Sequence, residues 1–277
     1  MIVRAPATSA NLGPGFDCVG VALDLWNELE VTDGEPGAVV VEVAGEGAGE
    51  LPEDDTNLVV RAYALRASPA GKRFRLRNHI PLERGLGSSA AAIALGLVAA
   101  GPVTGPEELL ALGLQLEPHA DNLAPALAGG VCLTWDRRIA RIAESLPLDP
   151  VLVVPAARTS TTAARAQLPA AVPHGDAVFT AGRALLLGAA VAAGDAELMR
   201  EALVDRLHEP YRDSPLLEAL RTDPPAGAVG ATLSGSGPSV VVWASDPARC
   251  AAELVRRLPD HQVLQLAVTE HGARLAS

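Results

Sequence analysis

One segment of the sequence, residues 90–100, constrains the fold strongly because it is apolar on every side of a predicted helix. Such a helix has no polar face to turn toward water, so it must lie centrally, with other elements packed around it. Ser88 or Ser89 is suited to cap its N-terminus, and Gly101 with Pro102 ends it. The segment is too short to span a bilayer, which indicates a buried helix.

Composition and element order predict two domains of the α+β class. The chain has 277 residues, of which 49% are hydrophobic and 3% aromatic, so its core consists mainly of Ala, Val and Leu. Predicted strands and helices are mixed in both halves, without the regular alternation of a doubly wound sheet. Alternating polarity predicts a strand at residues 23–31. Further helices are predicted at residues 175–193 and 195–206, and a closing strand at 263–268.

The charge balance disfavours nucleic acid as a partner. The formal net charge is −11, and Lys72 is the only lysine among 22 basic residues. An acidic chain without a basic stripe binds nucleic acid poorly. A phosphate site in this chain therefore has to use backbone amides, arginine or a metal. The three cysteines are widely spaced, which excludes a disulfide scaffold, and no signal peptide is recognisable. We expect a cytoplasmic protein with no membrane partner.

The residues before the apolar helix, Gly85-Leu86-Gly87-Ser88-Ser89, form a candidate phosphate-binding loop. Glycines allow the backbone to approach an anion, which the free amides and positive dipole end of the helix then hold. Two better-known loops do not match. The lysine of a P-loop is absent, and position 105, where a dinucleotide site would have an acidic residue, is glycine. A structural glycine turn before a buried helix is the alternative.

A serine nucleophile is another interpretation of the same loop. Residues 87–91 loosely imitate a nucleophile elbow, with Ser89 as the nucleophile. This interpretation requires a downstream acid and a histidine. Asp205 and His261 are available, but nothing in the spacing selects them.

Six segments, in order along the chain, resemble motifs of the GHMP kinases, which phosphorylate galactose, homoserine, mevalonate and phosphomevalonate. The loop at residues 81–91 resembles the central motif of the family. Residues 7–17 and the glycine-rich residues 233–239 resemble its first and last motifs. Further similarity to the members that act on homoserine lies at residues 119–125, 161–165 and 205–212. The resemblance covers nearly the whole chain and is therefore more specific than any one motif.

This resemblance implies a two-domain GHMP kinase fold. Residues 1–146 would form an ATP-binding, ribosomal-S5-domain-2-like domain, and residues 147–277 a ferredoxin-like domain. ATP would lie over the central loop, with the acceptor between the domains. The family is commonly dimeric, so a homodimer is implied. The segment at residues 33–55 is shorter than in the family pattern, so a different loop over ATP is expected.

The resemblance also assigns nucleotide, metal and catalytic roles. Glu117 would bind Mg²⁺ together with Ser88 or Ser89. A carboxylate at a helix C-terminus is unfavourable by about 0.3–1 kcal/mol unless a cation is bound. Asn122, Glu117 and Ser89 would take part in catalysis. The nucleotide would be bound by Asn57, which is also a plausible helix cap, and by Pro81, Arg84, Gly85, Leu86, Gly87, Ser88, Ser89, Ala90, Ala91, Ser234 and Gly235.

A second set of matching positions would bind the acceptor. These positions are Asn11, Asp17, Asn122, Thr161, Arg165 and Arg212. Asp17 can pair with an ammonium, and the planar guanidinium groups of Arg165 and Arg212 suit a carboxylate. A zwitterion fits this set better than a neutral sugar, so the expected acceptor is L-homoserine, whose phosphorylation belongs to threonine biosynthesis. A mevalonate-type acceptor is the alternative, although it would leave Asp17 unpaired.

The mechanism implied by the resemblance lacks a dedicated carboxylate base. Asn122 stands where mevalonate and galactose kinases have an aspartate near the acceptor hydroxyl. We therefore expect the loop amides and Mg²⁺ to neutralise developing charge, while the acceptor proton passes to the phosphate. Asp121 is interpreted as a helix cap and His119 as a structural histidine. A catalytically silent regulatory module of the same fold is a further alternative, disfavoured by the presence of Glu117 and the loop serines.

Overall fold

The computed structural model describes residues 1–102, 105–159 and 161–276, and these residues form two β-sheets with helices packed around them. In the first sheet the strands follow the order β11-β1-β2-β4-β3, and β5 joins β2 to β6. Only β3 and β4 pair in parallel among these described strands. The strands are β1 (Ile2–Ala10), β2 (Val19–Asp33), β3 (Val39–Gly45), β4 (Lys72–Asn78), β5 (Val131–Trp135), β6 (Arg138–Ala143) and β11 (Arg274–Leu275).

The apolar helix lies at the centre of the first half, as the sequence predicts. This helix, α2 (Ser88–Ala99), contacts β1 and β2 and is surrounded by α1 (Leu58–Ala64), α3 (Pro106–Gly113) and α4 (Ala120–Ala128). Most of its residues are buried, on every side of the helix. Because α2 cannot move without disturbing three helices and a sheet, its N-terminus is a rigid platform.

The second sheet contains β7 (Asp149–Val154), β8 (Ala228–Leu233), β9 (Val240–Ala244) and β10 (Gln262–Gln265), in the order β10-β7-β9-β8. All its pairings are antiparallel. Numbered within the sheet, the order is fourth, first, third, second, which is the ferredoxin-like arrangement that the resemblance implies. The helices of this half are α5 (Thr161–Ala166), α6 (His174–Ala193), α7 (Ala196–Ala202), a short 3₁₀ helix (Glu209–Tyr211), α8 (Pro215–Thr222) and α9 (Pro247–Arg257).

Both faces of the second sheet are covered. Val151 and Val153 of β7 pack in a cluster with residues of α8 and α9, whereas the alternating Leu152 and Val154 belong to the large core cluster that continues into the first half. A strand covered on both faces reads as a continuous apolar run, which explains its Val- and Leu-rich sequence.

The C-terminal residues return to the first sheet. Val3 and Leu275 pair where β11 meets β1, and Leu23 forms an isolated bridge with Val268. The end of the chain thus contacts the sheet formed by its beginning. The division between residues 146 and 147 stays a prediction.

Three elements differ from the sequence predictions. β1 carries no recognisable strand signal, because its residues are buried on both faces and show no alternation. The predicted helix at 195–206 ends at Ala202, since the Asp205 carboxylate draws the following backbone amides into a turn. The strand predicted at 263–268 ends at Gln265, where the chain leaves the second sheet for the first. The capping-box spacing of Thr104 and Glu107 also predicts the start of a helix, and Thr104 lies outside the described residues.

Among the described residues, one helix, α6, has the length and apolar composition that a membrane crossing requires. A single helix of this kind is weak evidence, because core helices of proteins without any membrane segment have the same composition.

Candidate active site

A cleft of about 530 Å³ lies between the two halves of the chain and is lined by residues from both. It brings together residues that are far apart in sequence. Of the residues predicted for the site, those lining the cleft are Asn11, Asp17, Gly85, Leu86, Gly87, Ser88, Ser89, Ala90, Glu117, Asn122, Arg165, Arg212 and Gly235.

The glycine-serine loop places the N-terminus of α2 in the cleft. Gly87 precedes the helix with φ of 64°, in the left-handed region that favours glycine. A Cβ atom there would lie 1.9 Å from the Thr8 hydroxyl oxygen, so no other residue fits. In the described part of the chain, the hydroxyl groups of Ser88 and Ser89 have no hydrogen-bond partner. Together with the amides of the first helical turn, they form an anion-binding end.

The loop is held from behind by the glycine-rich turn of the second half. Ser234 is fully buried, and its hydroxyl donates to the carbonyl of Gly85 at 2.7 Å. A Cβ on Gly85 would lie 2.1 Å from the carbonyl oxygen of Ser234. Arg84 donates to the carbonyls of Pro155 and Ala156 at 2.9 Å each. Ser234 and Arg84 thus shape the loop without lining the cleft.

Glu117 enters the cleft just after α3, beside His119. The Glu117 carboxylate lies 2.5 Å from Nδ1 of His119, and this contact raises the pKa of the histidine above its usual value. No cluster of three or more His, Cys, Asp or Glu side chains able to hold a metal occurs among the described residues. One carboxylate and a loop hydroxyl nevertheless fit Mg²⁺, which takes few protein ligands and keeps water and phosphate oxygens.

Asn11 organises the acceptor end of the cleft. It is 3% exposed and has φ of 74°. Its Oδ1 accepts from the backbone amide of Asp17 at 3.0 Å, and its Nδ2 donates to the carbonyl of Gly235 at 2.9 Å. Both ends of its amide are therefore used to join the turn that carries Asp17 to the second half of the chain.

The two predicted arginines differ in environment. Arg165 is exposed and pairs with Asp17 at 2.6 Å. Arg212 is only 8% exposed and donates to the carbonyl of Gly235 at 2.6 Å. Its buried Nε has no hydrogen-bond partner among the residues that the structure describes. Within the described residues no carboxylate lies within 4.0 Å of its guanidinium. Burial lowers the pKa of Arg212, yet a guanidinium stays protonated at neutral pH. The cleft thus contains a buried cation that forms no ion pair with any described carboxylate.

Asn122 lines the cleft, and its side-chain amide is already partly engaged. The Thr8 hydroxyl donates to Oδ1 of Asn122 at 2.8 Å, and Nδ2 donates to Oδ1 of Asp121 at 3.5 Å, so one of the two N–H groups has no partner among the described residues. The same threonine would meet a Cβ on Gly87, so Thr8 connects this amide to the phosphate-type loop.

Asp121 is the main residue whose position the sequence misjudged. It lies inside the first turn of α4, whose N-cap position is His119, and it lines the cleft. It is 4% exposed, and its pKa is raised to about 6, chiefly by burial and then by the charge of Asp17. A carboxyl group at the start of a short helix could not be recognised as a cleft residue from sequence alone. Glu50 and Arg158 form an ion pair of 2.6 Å at the cleft wall. No motif or local sequence pattern predicts that either residue lines the cleft.

Three further residues predicted to bind the nucleotide, like Arg84 and Ser234, are not among the residues that line the cleft. Asn57 is buried, caps α1 by accepting from Val59 at 3.0 Å, and donates to Pro52 at 2.7 Å. Pro81 and Ala91 are buried behind the loop. The side chain of Thr161, predicted for the acceptor, lies outside the described residues. The functional roles predicted for these residues stay predictions.

The serine-hydrolase interpretation has no support in the geometry. The Asp205 carboxylate is occupied by the amides of Leu207, His208 and Glu209, and neither Asp205 nor His261 lines the cleft with Ser89. A phosphate-type helix end opposite a set of charged side chains instead characterises an enzyme that transfers a phosphoryl group to a small molecule.

Comparison with known proteins agrees with this class. Residues 57–130 match the GHMP kinases N terminal domain. A homoserine kinase of Leifsonia xyli is 44% identical over 98% of this chain and 90% of its own length. One from Moorella thermoacetica is 39% identical over 98% of each chain. The crystal structure of homoserine kinase from Cytophaga hutchinsonii superposes with a TM-score of 0.87 at 26% identity, over 100% of this chain and 97% of that one.

The chain belongs to the GHMP kinase family, as the sequence motifs predict, and the relatives from Leifsonia xyli and Moorella thermoacetica, which are 39–44% identical over nearly its full length, are homoserine kinases.

Proposed function

We propose that this enzyme transfers the γ-phosphoryl group of ATP to the side-chain hydroxyl of L-homoserine, producing O-phospho-L-homoserine in threonine biosynthesis. The observation that carries this substrate is Arg212, a buried guanidinium at one end of the cleft that forms no ion pair within the described part of the chain. A buried charge is costly unless paired, so the site favours a ligand that brings a carboxylate.

The Asp17–Arg165 pair accounts for the other charge of the substrate. Both side chains are about 40% exposed, so their mutual attraction contributes little to stability and is easily exchanged. An incoming amino acid offers its ammonium to Asp17 and its carboxylate to Arg165 and Arg212. A mevalonate-type acceptor has no ammonium and would leave Asp17 without this exchange.

For the donor, we propose that the triphosphate of ATP binds at the N-terminus of α2. The supporting features are the loop amides and the hydroxyls of Ser88 and Ser89, which have no partner among the described residues, and the glycine conformations that keep the backbone accessible. Mg²⁺ held by Glu117 and Ser88 would neutralise phosphate charge when bound.

The transfer itself needs positioning more than a base. The homoserine hydroxyl oxygen forms a bond to the γ-phosphorus as the bond to the ADP oxygen breaks, and the hydroxyl proton passes to an oxygen of the transferred phosphate. Asn122 contributes one amide N–H near the loop, since Thr8 occupies its oxygen and its other N–H donates to Asp121. Ser89, exposed at the helix end, contributes a second donor to developing charge.

We also propose that the enzyme is a cytoplasmic homodimer that assembles through α6. Exposed residues at three- and four-residue spacing form one apolar face on this helix, which we call the α6 face: Val178, Ala181, Gly182, Leu185, Ala189 and Ala192. Leu185 is 77% exposed. Apart from Gly182, the positions are symmetric about Leu185, so the face can pack on a second copy antiparallel to itself. The net charge of −11 disfavours an anionic membrane surface instead.

Sedimentation tests the dimer. We expect the wild-type protein to sediment as a dimer and Leu185→Glu as a monomer. Val255→Glu, which changes a residue 56% exposed on α9, serves as the matched control and should stay dimeric. A monomeric wild type, or a dimeric Leu185→Glu variant, would contradict this assembly.

ADP release with Mg-ATP and L-homoserine, mevalonate or galactose tests the activity. We expect turnover with L-homoserine, and a rise in its KM of about 30- to 1000-fold in Arg212→Ala, because a charge-assisted pair is worth roughly 2–4 kcal/mol. Arg206→Ala is the control, since Arg206 lies in the same segment but pairs with Asp176 outside the cleft. Turnover of mevalonate without turnover of L-homoserine would refute the substrate and retain the kinase.

A further inference from the structure

An aromatic ring lies beneath the two arginines of the acceptor end. Phe16 belongs to the turn between Asn11 and Asp17, and the guanidinium carbons of Arg165 and Arg212 each lie 5.6 Å from its ring centroid. Guanidinium groups at this distance are attracted by the negative face of an aromatic ring. Because two like charges share one ring, the ring offsets part of the repulsion between them before any anion is present.

The ring of Phe16 is in turn fixed by a histidine that the proposed reaction does not use. His208 stacks on Phe16 with centroids 4.7 Å apart and an angle of 19° between the planes. His208 is fully buried, and its Nε2 lies 2.8 Å from the carbonyl oxygen of Gly13, so this nitrogen carries the proton and donates it. Its Nδ1 is buried and has no hydrogen-bond partner in the described part of the molecule. Burial lowers the pKa of His208, which keeps the ring neutral.

The turn that carries Phe16 depends on such external contacts. Asn11, Leu12 and Asp17 all have positive φ, between 45° and 74°, which non-glycine residues adopt at a cost. The contact from His208 to Gly13 and the contact from Asn11 to Gly235 tie this turn to the second half. Since Arg212 follows His208 by one short helix, the same segment fixes the ring and one guanidinium.

We propose that Phe16 and His208 are positioning residues for substrate specificity. The His208 ring holds Phe16 in place, and Phe16 holds Arg165 and Arg212 in the separation that a single carboxylate can bridge. Neither residue touches the reacting atoms. This inference rests on the proposed function, because it assumes that the two arginines receive the carboxylate of L-homoserine.

The test compares two acceptors that differ only in the group concerned. L-Homoserine has the carboxylate, and L-homoserinol has a hydroxymethyl group in its place. For each variant, kcat/KM is measured with both acceptors at saturating Mg-ATP, and the ratio of the two values is the readout. A purely structural defect lowers both values together and leaves the ratio unchanged, whereas misplaced arginines lower the ratio.

The variants separate the contribution of the Phe16 ring from that of the His208 ring that fixes it. Phe16→Leu removes the aromatic face, and we expect the ratio to fall about tenfold, while Phe16→Tyr retains the face and restores it. His208→Gln keeps a donor for Gly13 but loses the stack, and should lower the ratio by about threefold. Phe179→Leu is the matched control. Phe179 also lies under two arginines, Arg183 at 5.0 Å and Arg206 at 4.0 Å, but away from the cleft.

The outcomes distinguish this inference from the proposed function. A wild type that phosphorylates L-homoserine no better than L-homoserinol refutes the carboxylate site itself. A wild type with a clear preference, together with unchanged ratios in Phe16→Leu and His208→Gln, refutes only the positioning role. If Phe16→Leu fails to fold, as judged by its melting temperature, the ratio in His208→Gln decides the question.

Discussion

The two ends of the cleft are built in different ways. At the phosphate end, a short continuous loop presents backbone amides at the start of one buried helix, and glycines keep other atoms out. At the acceptor end, side chains from four distant segments converge: Asn11 and Asp17, Asn122, Arg165, and Arg212. Activity should therefore be lost when a substitution adds an atom at the phosphate end, and when a substitution removes side-chain atoms at the acceptor end.

The largest effect should come from adding one carbon to the phosphate end. In Gly87→Ala the new Cβ would lie 1.9 Å from the Thr8 hydroxyl, at a φ of 64°. Because the loop must shift away from the phosphate, we expect kcat/KM for ATP to fall about 100- to 1000-fold. The control is Gly194→Ala, which has φ of 65° but nothing within 4 Å of the added carbon. Equal losses in the two variants would mean that backbone strain, and not the loop position, determines activity.

A smaller effect should follow from neutralising the proposed metal ligand. We expect Glu117→Gln to raise the Mg²⁺ concentration for half-maximal activity at least about tenfold, since a neutral amide is a weaker ligand for a hard cation. The measurement is a Mg²⁺ titration at fixed ATP, and Glu197→Gln on the exposed face of α7 is the control. An unchanged Mg²⁺ requirement with reduced kcat would assign Glu117 a role other than metal binding.

The buried carboxylate of Asp121 should increase activity when it is ionised and should destabilise the fold in the same state. We expect kcat/KM for L-homoserine to decline below a pH of about 6, because protonation of this carboxyl removes a negative charge near Asp17 and Arg165. Asp121→Asn should lose roughly tenfold in kcat/KM at pH 8 and should lack this acidic limb. A limb that persists in the variant would belong to another group.

The same substitution should stabilise the fold. The folded-state pKa of Asp121 is raised from 3.8 to about 6, so the folded protein binds the proton more tightly than the unfolded chain does. The contribution of Asp121 to the free energy of unfolding therefore falls as the pH rises from 3.8 to about 6. The total loss is about 3 kcal/mol, at about 1.36 kcal/mol for each unit of pKa difference. Thermal unfolding should find Asp121→Asn more stable than wild type at pH 8 and equal to it below pH 4. Lower stability at pH 8 would contradict the raised pKa.

The difference between the two ends also explains which parts of the site could be predicted from the sequence. Most of the phosphate end was predictable, because the loop and the buried helix are contiguous and each has a local physical signature. The predicted cap was wrong, since Gly87 occupies the N-cap position and both Ser88 and Ser89 lie inside the helix. The fold class followed in the same way from the order of strands and helices. β1 could not be predicted in this way, because full burial removes the alternation that marks a strand.

The acceptor end was accessible only through its resemblance to a family. No local pattern relates Asn11 to Gly235, or His208 to Gly13, since these contacts join residues about 200 positions apart. The raised pKa of Asp121 arises from burial and from Asp17, which are properties of the folded molecule. Such a site becomes visible only when tertiary structure brings its members together.

The smallest effect concerns Asn57, which the family resemblance associates with the nucleotide and the structure shows as a helix cap. Its oxygen accepts from Val59 and its nitrogen donates to Pro52, so its amide is already engaged at both ends. We expect Asn57→Ala to reduce the free energy of unfolding by about 1 kcal/mol and to leave KM for ATP unchanged. Asp195→Ala, which removes the equivalent cap from α7, should do the same. A rise in KM for ATP in Asn57→Ala alone would place this residue in the nucleotide site after all, and would extend the phosphate end beyond its backbone loop to include a side chain.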